Sequence, residues 1–207
     1  MSLAHHGVLF LDELTEWNRS VLEVLREPME SGRIIISRAA RQSEFPARFQ
    51  LVAAMNPCPC GYFGDPSGRC HCSPEQVARY RSRVSGPLLD RIDIQIEVAR
   101  QPTTALSNRG PAGESTEPVR ARVQAARQLQ LDRAGKPNAL LGTRELMRDC
   151  QLTSADQKLL ERAIDKLNLS ARAYHRILRL ARTVADLASA DRISTQHLSE
   201  AIGYRRS

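Results

Sequence analysis

The segment Gly7-Val-Leu-Phe-Leu-Asp-Glu13 constrains this chain more than any other. Four consecutive apolar residues, Val8–Leu11, read as a strand of a parallel sheet buried on both faces. The run stops at two adjacent carboxylates, Asp12 and Glu13. Open α/β sheets bind ligands at the carboxyl ends of their strands, and acids buried there without a partner are costly. A magnesium ion and an attacking water suit such a pair. Asp12 would hold the ion, and Glu13 would orient or deprotonate the water. A solvated acidic turn at a strand end is the plainer alternative.

The remaining composition narrows the class. With 207 residues, 42% of them hydrophobic, the chain can build one or two domains with real cores. No apolar run approaches the roughly 18 residues of a membrane helix, and no signal-peptide pattern opens the chain. The expectation is a cytoplasmic protein with no membrane partner and reduced cysteines. The formal charge is +7, and lysine occurs only at Lys136, Lys158 and Lys166, so the basic side chains are nearly all arginine. Guanidinium groups bind phosphate in a bidentate way, which suits nucleic acid or nucleotide. Genomic base composition produces the same bias without such a partner.

Three regions follow one another. Residues 1–99 alternate strand and helix signals. Asn18 caps a helix over 18–30 with Val21, Leu22, Leu25 and Met29 on one face, and Pro28 weakens its last turn. Ser31-Gly32 turns the chain into a strand at 33–37, with 41–45 as its hairpin partner. A second apolar strand over 49–55 ends at Asn56-Pro57. A helix at 74–84 precedes a strand at 92–98 that alternates Ile92, Ile94, Ile96 and Val98. Residues 100–117, rich in Pro, Gly, Ser and Thr, form a linker expected to be mobile. Residues 118–207 carry only helix signals, with Ser154, Ser170 and Ser194 as caps and an Ile193–Leu198 staple. The fold class is therefore α/β plus all-α.

Cys58, Cys60, Cys70 and Cys72 form Cys-x-Cys, nine residues, then Cys-x-Cys. Four thiolates complete a tetrahedral zinc shell, although two intervening residues are commoner in zinc knuckles, and His71 could replace one sulfur. Four reduced thiols, or disulfides after oxidation, are the alternatives. Cys150 is isolated and reads as a small buried apolar residue. His5 and His6 have no metal-site pattern around them.

The segments LAHHGVLFLDEL, AAMNPCPCGYFGD, CHCSP and SGPLLDRIDI together resemble the carboxyl-terminal part of AAA+ ATPases of the magnesium-chelatase-like group. Within it they resemble the ComM/YifB family, bacterial proteins linked to DNA processing in natural transformation. Thr15 stands where that family's pattern has proline. The resemblance implies a partial AAA+ core, with a parallel sheet, flanking helices and a hairpin insertion, followed by a helical lid bundle. It implies ATP with magnesium as cofactor. Asp12 becomes the magnesium ligand, Glu13 the catalytic base and Asn56 the sensor residue that orients the attacking water or contacts the γ-phosphate; a plain Asn-Pro turn is the alternative. Arg91 becomes an arginine finger reaching a neighbour's nucleotide, rather than an ion pair with Asp90 or Asp93. That role requires a homo-oligomeric ring, expected to be a hexamer. Arg172 matches the second sensor arginine, with Arg176 and Arg179 on nearby turns. Arg33, Arg38 and Arg41 would lie on a pore hairpin and touch DNA, the alternative being a solvated basic hairpin.

One departure is larger. The phosphate-binding pattern Gly-x-x-x-x-Gly-Lys-[Ser/Thr] occurs nowhere in the chain. The resemblance then implies a fragment that begins just before its second catalytic strand and is inactive alone. Three functions stay open. The first is the carboxyl-terminal part of a DNA motor for branch migration or helicase-like work. The second is the motor subunit of a magnesium-chelatase-type complex. The third is a non-enzymatic, zinc-stabilised binding module.

Overall fold

The computed structural model describes residues 1–38, 41–100 and 113–205, and the chain divides into two compact units, Met1–Ile92 and Asp93–Ser207. Most of the expected linker, residues 101–112, lies outside the described residues.

In the first unit, β1 (Val8–Leu11) pairs in parallel with β4 (Gln50–Ala53), in the register Val8↔Gln50 to Leu11↔Ala53. Successive side chains of a strand point to opposite faces. Leu9 and Leu11 face a core built with Leu14, Leu22, Leu25, Val84 and Leu88. Val8 and Phe10, on the other face, are each 59% exposed. The expectation of burial on both faces is therefore wrong for the described residues, because nothing among them covers that second face.

The single helix expected over 18–30 is two. Asn18 caps α1 (Arg19–Val24), its Oδ1 accepting the Ser20 N–H at 3.0 Å. A joint at Leu25 then opens α2 (Arg26–Ser31). Proline lacks an N–H and its ring clashes with the carbonyl four residues back. Restarting the helix at Arg26 puts Pro28 in a first turn, where that N–H has no helical acceptor to lose. Gly32 closes α2 with φ +72°, its N–H bonded to Pro28 O at 2.9 Å. There the chain enters the antiparallel hairpin β2 (Arg33–Arg38) and β3 (Arg41–Pro46), in which Arg33 faces Pro46 and Arg38 faces Arg41.

After β4 a cysteine-bearing loop leads to α3 (Pro74–Arg81), opened by a Ser73/Gln76 capping box, and then α4 (Gly86–Leu89). The expected strand at 92–98 does not form. Ile94, Ile96 and Val98 are 49%, 67% and 78% exposed. Alternation supplies a face, but a strand also needs an adjacent edge to bond. Here Gln95 N–H bonds instead to Tyr204 O, at 3.0 Å.

The second unit is all helix: α5 (Thr116–Ala134), α6 (Thr143–Asp149), α7 (Ser154–Lys166), α8 (Ala171–Leu187) and α9 (Thr195–Gly203). α8 is its axis. Ile177, Ala181 and Ala185 are fully buried against Leu141, Leu146, Leu160, Leu198 and Ile202. The cap of α7 is Thr153, one residue before the expected Ser154. Its Oγ1 accepts the Asp156 N–H at 3.1 Å and donates to Asp156 Oδ2 at 2.7 Å. Ser194 caps α9 as expected, whereas Ser170 occupies the cap position of α8 without a side-chain capping bond. The architecture is a partial AAA+ core, with a small parallel sheet and flanking helices, plus a helical bundle.

Candidate functional site

Strand pairing determines which polar residues meet. β1 and β4 run in parallel, so both strands deliver their next residues to the same sheet edge. Asp12 and Glu13 follow β1 directly, and Asn56 is the third residue beyond β4. Neighbouring strands stand about 4.8 Å apart, which brings these side chains to one end of the sheet. The turn is fixed from three sides. Leu14 N–H donates to Ala54 O at 2.9 Å, Trp17 Nε1 donates to Asp12 O at 2.9 Å, and Asp12 Oδ1 accepts the Glu13 N–H at 2.8 Å. Glu13 has φ +50°, a left-handed conformation uncommon for a residue with a side chain. Asp12, Glu13 and Asn56 are all exposed. The burial cost that motivated an ionic partner is therefore absent among the described residues. What remains is a set of hard oxygen donors open to solvent, the chemistry that magnesium takes.

Thr15, two residues on, is 1% exposed, and its hydroxyl has no hydrogen-bond partner among the described residues. Its carbonyl accepts from Arg83 Nη1 at 3.2 Å.

The arginines divide. Arg91, just past α4, is 8% exposed. Its Nη2 pairs with Glu30 Oε1 at 2.6 Å, and its Nη1 donates to Pro87 O at 2.6 Å. That acid comes from α2, sixty-one positions earlier by subtraction of residue numbers. Arg172, in the first turn of α8, is exposed. Arg176 pairs with Asp93 at 2.7 Å, and Arg179 donates twice to Leu141 O, at 3.1 and 2.7 Å. Burial lowers the Arg179 pKa, reinforced by the Arg176 charge. On the hairpin, Arg33 pairs with Glu44 at 3.1 Å in full view of solvent. The side chains of Arg38 and Arg41 lie outside the described residues.

The four cysteines converge. The sulfur of Cys58 stands 3.3 Å from that of Cys60 and 3.9 Å from that of Cys70, and Cys60 and Cys70 are 3.7 Å apart. All four sulfurs, Cys72 included, lie within 4.8 Å of one another, and none is in a disulfide. The Tyr62 N–H and the Cys58 thiol favour the Cys60 thiolate and bring its pKa down to about 6. Cys72 moves the other way, to about 12. The Cys60 N–H favours its thiolate, but burial and the neighbouring Cys60 and Cys58 sulfurs outweigh that donor. Cys150 is buried alone in the helical unit, and burial pushes its thiol to about 11.

Several partners have no local sequence signal: Glu30 for Arg91, Trp17 for the acidic turn, and a buried node in the helical unit. In that node Asp186 accepts from both Nη atoms of Arg133, at 2.9 and 2.7 Å, from Arg182 Nε at 3.1 Å and from Asn138 Nδ2 at 2.8 Å. A buried acid in an otherwise apolar helical stripe is the only hint the sequence carries.

Comparison with known proteins agrees with this layout. Residues 1–106 match the family described as magnesium chelatase, subunit ChlI, and residues 113–205 match the family of its C-terminal region. The competence protein ComM of Haemophilus influenzae is 54% identical over 205 residues, covering 99% of this chain and 40% of that protein. YifB of Escherichia coli K12 is 49% identical over the same length and shares. Rv2897c of Mycobacterium tuberculosis is 40% identical over 210 residues, covering 100% of this chain and 41% of that protein. The chain thus spans about two fifths of the length of these relatives. With acids and a sensor-like asparagine at one edge of a parallel sheet, and both halves of the sequence matched, the chain belongs to the magnesium chelatase ChlI family.

Proposed function

We propose that this chain supplies the hydrolytic edge and the lid of an ATP-driven motor that acts on DNA, working as a homo-oligomeric ring, expected to be a hexamer. The observation that carries the reading is the shared edge of β1 and β4, where Asp12, Glu13 and Asn56 stand together. Magnesium bound to ATP neutralises charge on the transferring phosphoryl group. Asp12 has the oxygen chemistry to hold it. Glu13, next along a turn pinned by Trp17, would take the proton of the attacking water, and Asn56 would orient that water. Arg91 would have to leave Glu30 to reach a neighbour's nucleotide, so the Glu30 pair would hold the finger back until a neighbour docks. Arg172 is exposed and available to a nucleotide phosphate. Arg33, Arg38 and Arg41 would meet DNA phosphates from the hairpin.

DNA is favoured as the substrate because the relative with the highest identity among those cited is named a competence protein, and because the basic residues are nearly all arginine. The family description favours a second reading, a motor that drives metal insertion into a tetrapyrrole. A longer protein of the relatives' length, carrying this chain, separates the two. Magnesium-dependent ATP turnover that rises with branched DNA supports the first; turnover indifferent to DNA argues for the second. This chain by itself lacks the lysine-bearing phosphate loop, and the expected result is no ATP hydrolysis. Magnesium-dependent turnover by the purified 207-residue chain would overturn that part of the reading.

A further inference from the structure

We propose that Cys58, Cys60, Cys70 and Cys72 bind one zinc ion as a tetrathiolate, and that this ion fastens the 58–72 loop beneath Asn56. The proposal needs no nucleotide, so it stands or falls separately from the ATPase reading.

Distances come first. With zinc–sulfur bonds of about 2.3 Å, sulfurs at the corners of a tetrahedron stand about 3.8 Å apart. Three separations are 3.3, 3.7 and 3.9 Å, and the fourth sulfur lies within 4.8 Å of the rest. A disulfide would need about 2.05 Å, well short of any of these. Four thiols clustered without a cation gain only weak sulfur hydrogen bonds.

The loop is shaped to hold this cluster. Gly61 (φ +78°) and Gly64 (φ +83°) take left-handed turns that carry the chain out and back between the two Cys-x-Cys pairs. Asp65 tightens the return, its Oδ1 accepting the Ser67 N–H at 2.7 Å. Zinc with four thiolates carries a net charge of −2, which outer donors must offset. The backbone N–H groups of Phe63, Cys60 and Tyr62 are directed at Cys58, and those of Tyr62 and His71 at Cys60. Two guanidinium groups pack on the loop's own rings: Arg69 lies over Tyr62 at 5.9 Å and Arg81 over Phe63 at 5.2 Å. His71 is exposed and is not in the converging group. A closed shell of four sulfurs leaves no position for a water, so the site is structural rather than catalytic.

The link to Asn56 is short. Cys58 follows it by two residues, and a Cβ on Gly61 would stand 3.8 Å from Asn56 Oδ1. The loop therefore forms the floor under the proposed sensor, and an ion that closes the loop fixes that floor. Each thiol that ligates gives up its proton to solvent, so loading releases protons.

The test uses the whole 207-residue chain, purified under reducing, chelator-free conditions. Elemental analysis should give one zinc per chain, the Cys70→Ser/Cys72→Ser double variant should give none, and Cys150→Ser should keep the full amount. Should the double variant fail to fold, the wild-type chain stripped with a mercurial and reloaded with cobalt decides. The strong absorption of tetrahedral cobalt–thiolate must appear at one equivalent, and hydrogen exchange across 56–73 must slow on loading while exchange over 143–203 stays unchanged. Zinc absent from the wild type together with no cobalt–thiolate absorption would overturn the proposal. So would iron in its place, equal zinc in the double variant, or loading that leaves exchange across 56–73 unaltered.

Discussion

The two units solve the problem of stability differently. The helical unit has a continuous apolar core of twelve buried residues around α8, with Asp186 and its partner Arg182 buried beside it. The α/β unit has six residues in its main apolar cluster, a four-residue parallel ladder and an apolar sheet face open to solvent at Val8, Phe10 and Val52. Its acids at the sheet end are outside: Asp12 and Glu13 are exposed, as is Asn56, whereas Asp186 and Arg182 of the helical unit are 2% and 1% exposed. The charges around Asp186 are matched within the fold, whereas Asp12 and Glu13 face solvent. An acid kept at an open sheet edge can take a ligand without first breaking a buried pair.

That contrast can be broken by substitution. The largest effect should come from Asp186→Ala, which leaves Arg182 buried without its carboxylate and strips Arg133 of its bidentate partner. Leaving a charge buried and unpaired costs about 3–5 kcal/mol. Urea unfolding followed by alkylation of Cys150 reads it directly. That thiol is buried, with a pKa of about 11, and reacts only when its unit opens. An unchanged midpoint would mean that the node contributes nothing.

A smaller effect is expected in the other unit from Gly32→Ala. At φ +72° a Cβ is strained, and it would stand 2.7 Å from Arg48 Cγ. The cost should be about 1–3 kcal/mol, visible as a lower denaturation midpoint for the α/β unit with no change at Cys150. If both units weaken together, they do not unfold as separate bodies.

The smallest effect discriminates between adjacent residues. Thr153→Ala should cost about 1 kcal/mol through loss of the α7 cap, while Ser154→Ala should be close to neutral. Thermal unfolding of the two variants side by side settles which hydroxyl caps the helix.

Much of this was legible in the sequence where local chemistry decides. Val8–Leu11 reads as a strand, Asn18 and Ser194 as caps, and Ser31-Gly32 as a turn, because each signal is complete within a few residues. The errors arise where the deciding partner is distant or lies a residue away. The strand expected at 92–98 had the right alternation but no neighbouring edge among the described residues. The 18–30 helix broke at Leu25 because a restart suits Pro28 better than an interior position. Thr153 and Ser154 are both good caps, and only the Asp156 geometry chooses between them. In the site, adjacency in the chain revealed the Asp12–Glu13 pair and the cysteine spacing. The Arg91–Glu30 pair spans two elements and leaves no periodic trace.

The most direct measurement compares wild type with Glu13→Gln in a longer protein of the relatives' length that carries this chain. The substitution keeps the size of the side chain and removes its basicity. If the open acids are the hydrolytic edge, magnesium-dependent ATP turnover should fall about 100-fold or more while nucleotide binding is retained. Turnover equal to wild type would contradict the assignment of that edge to catalysis.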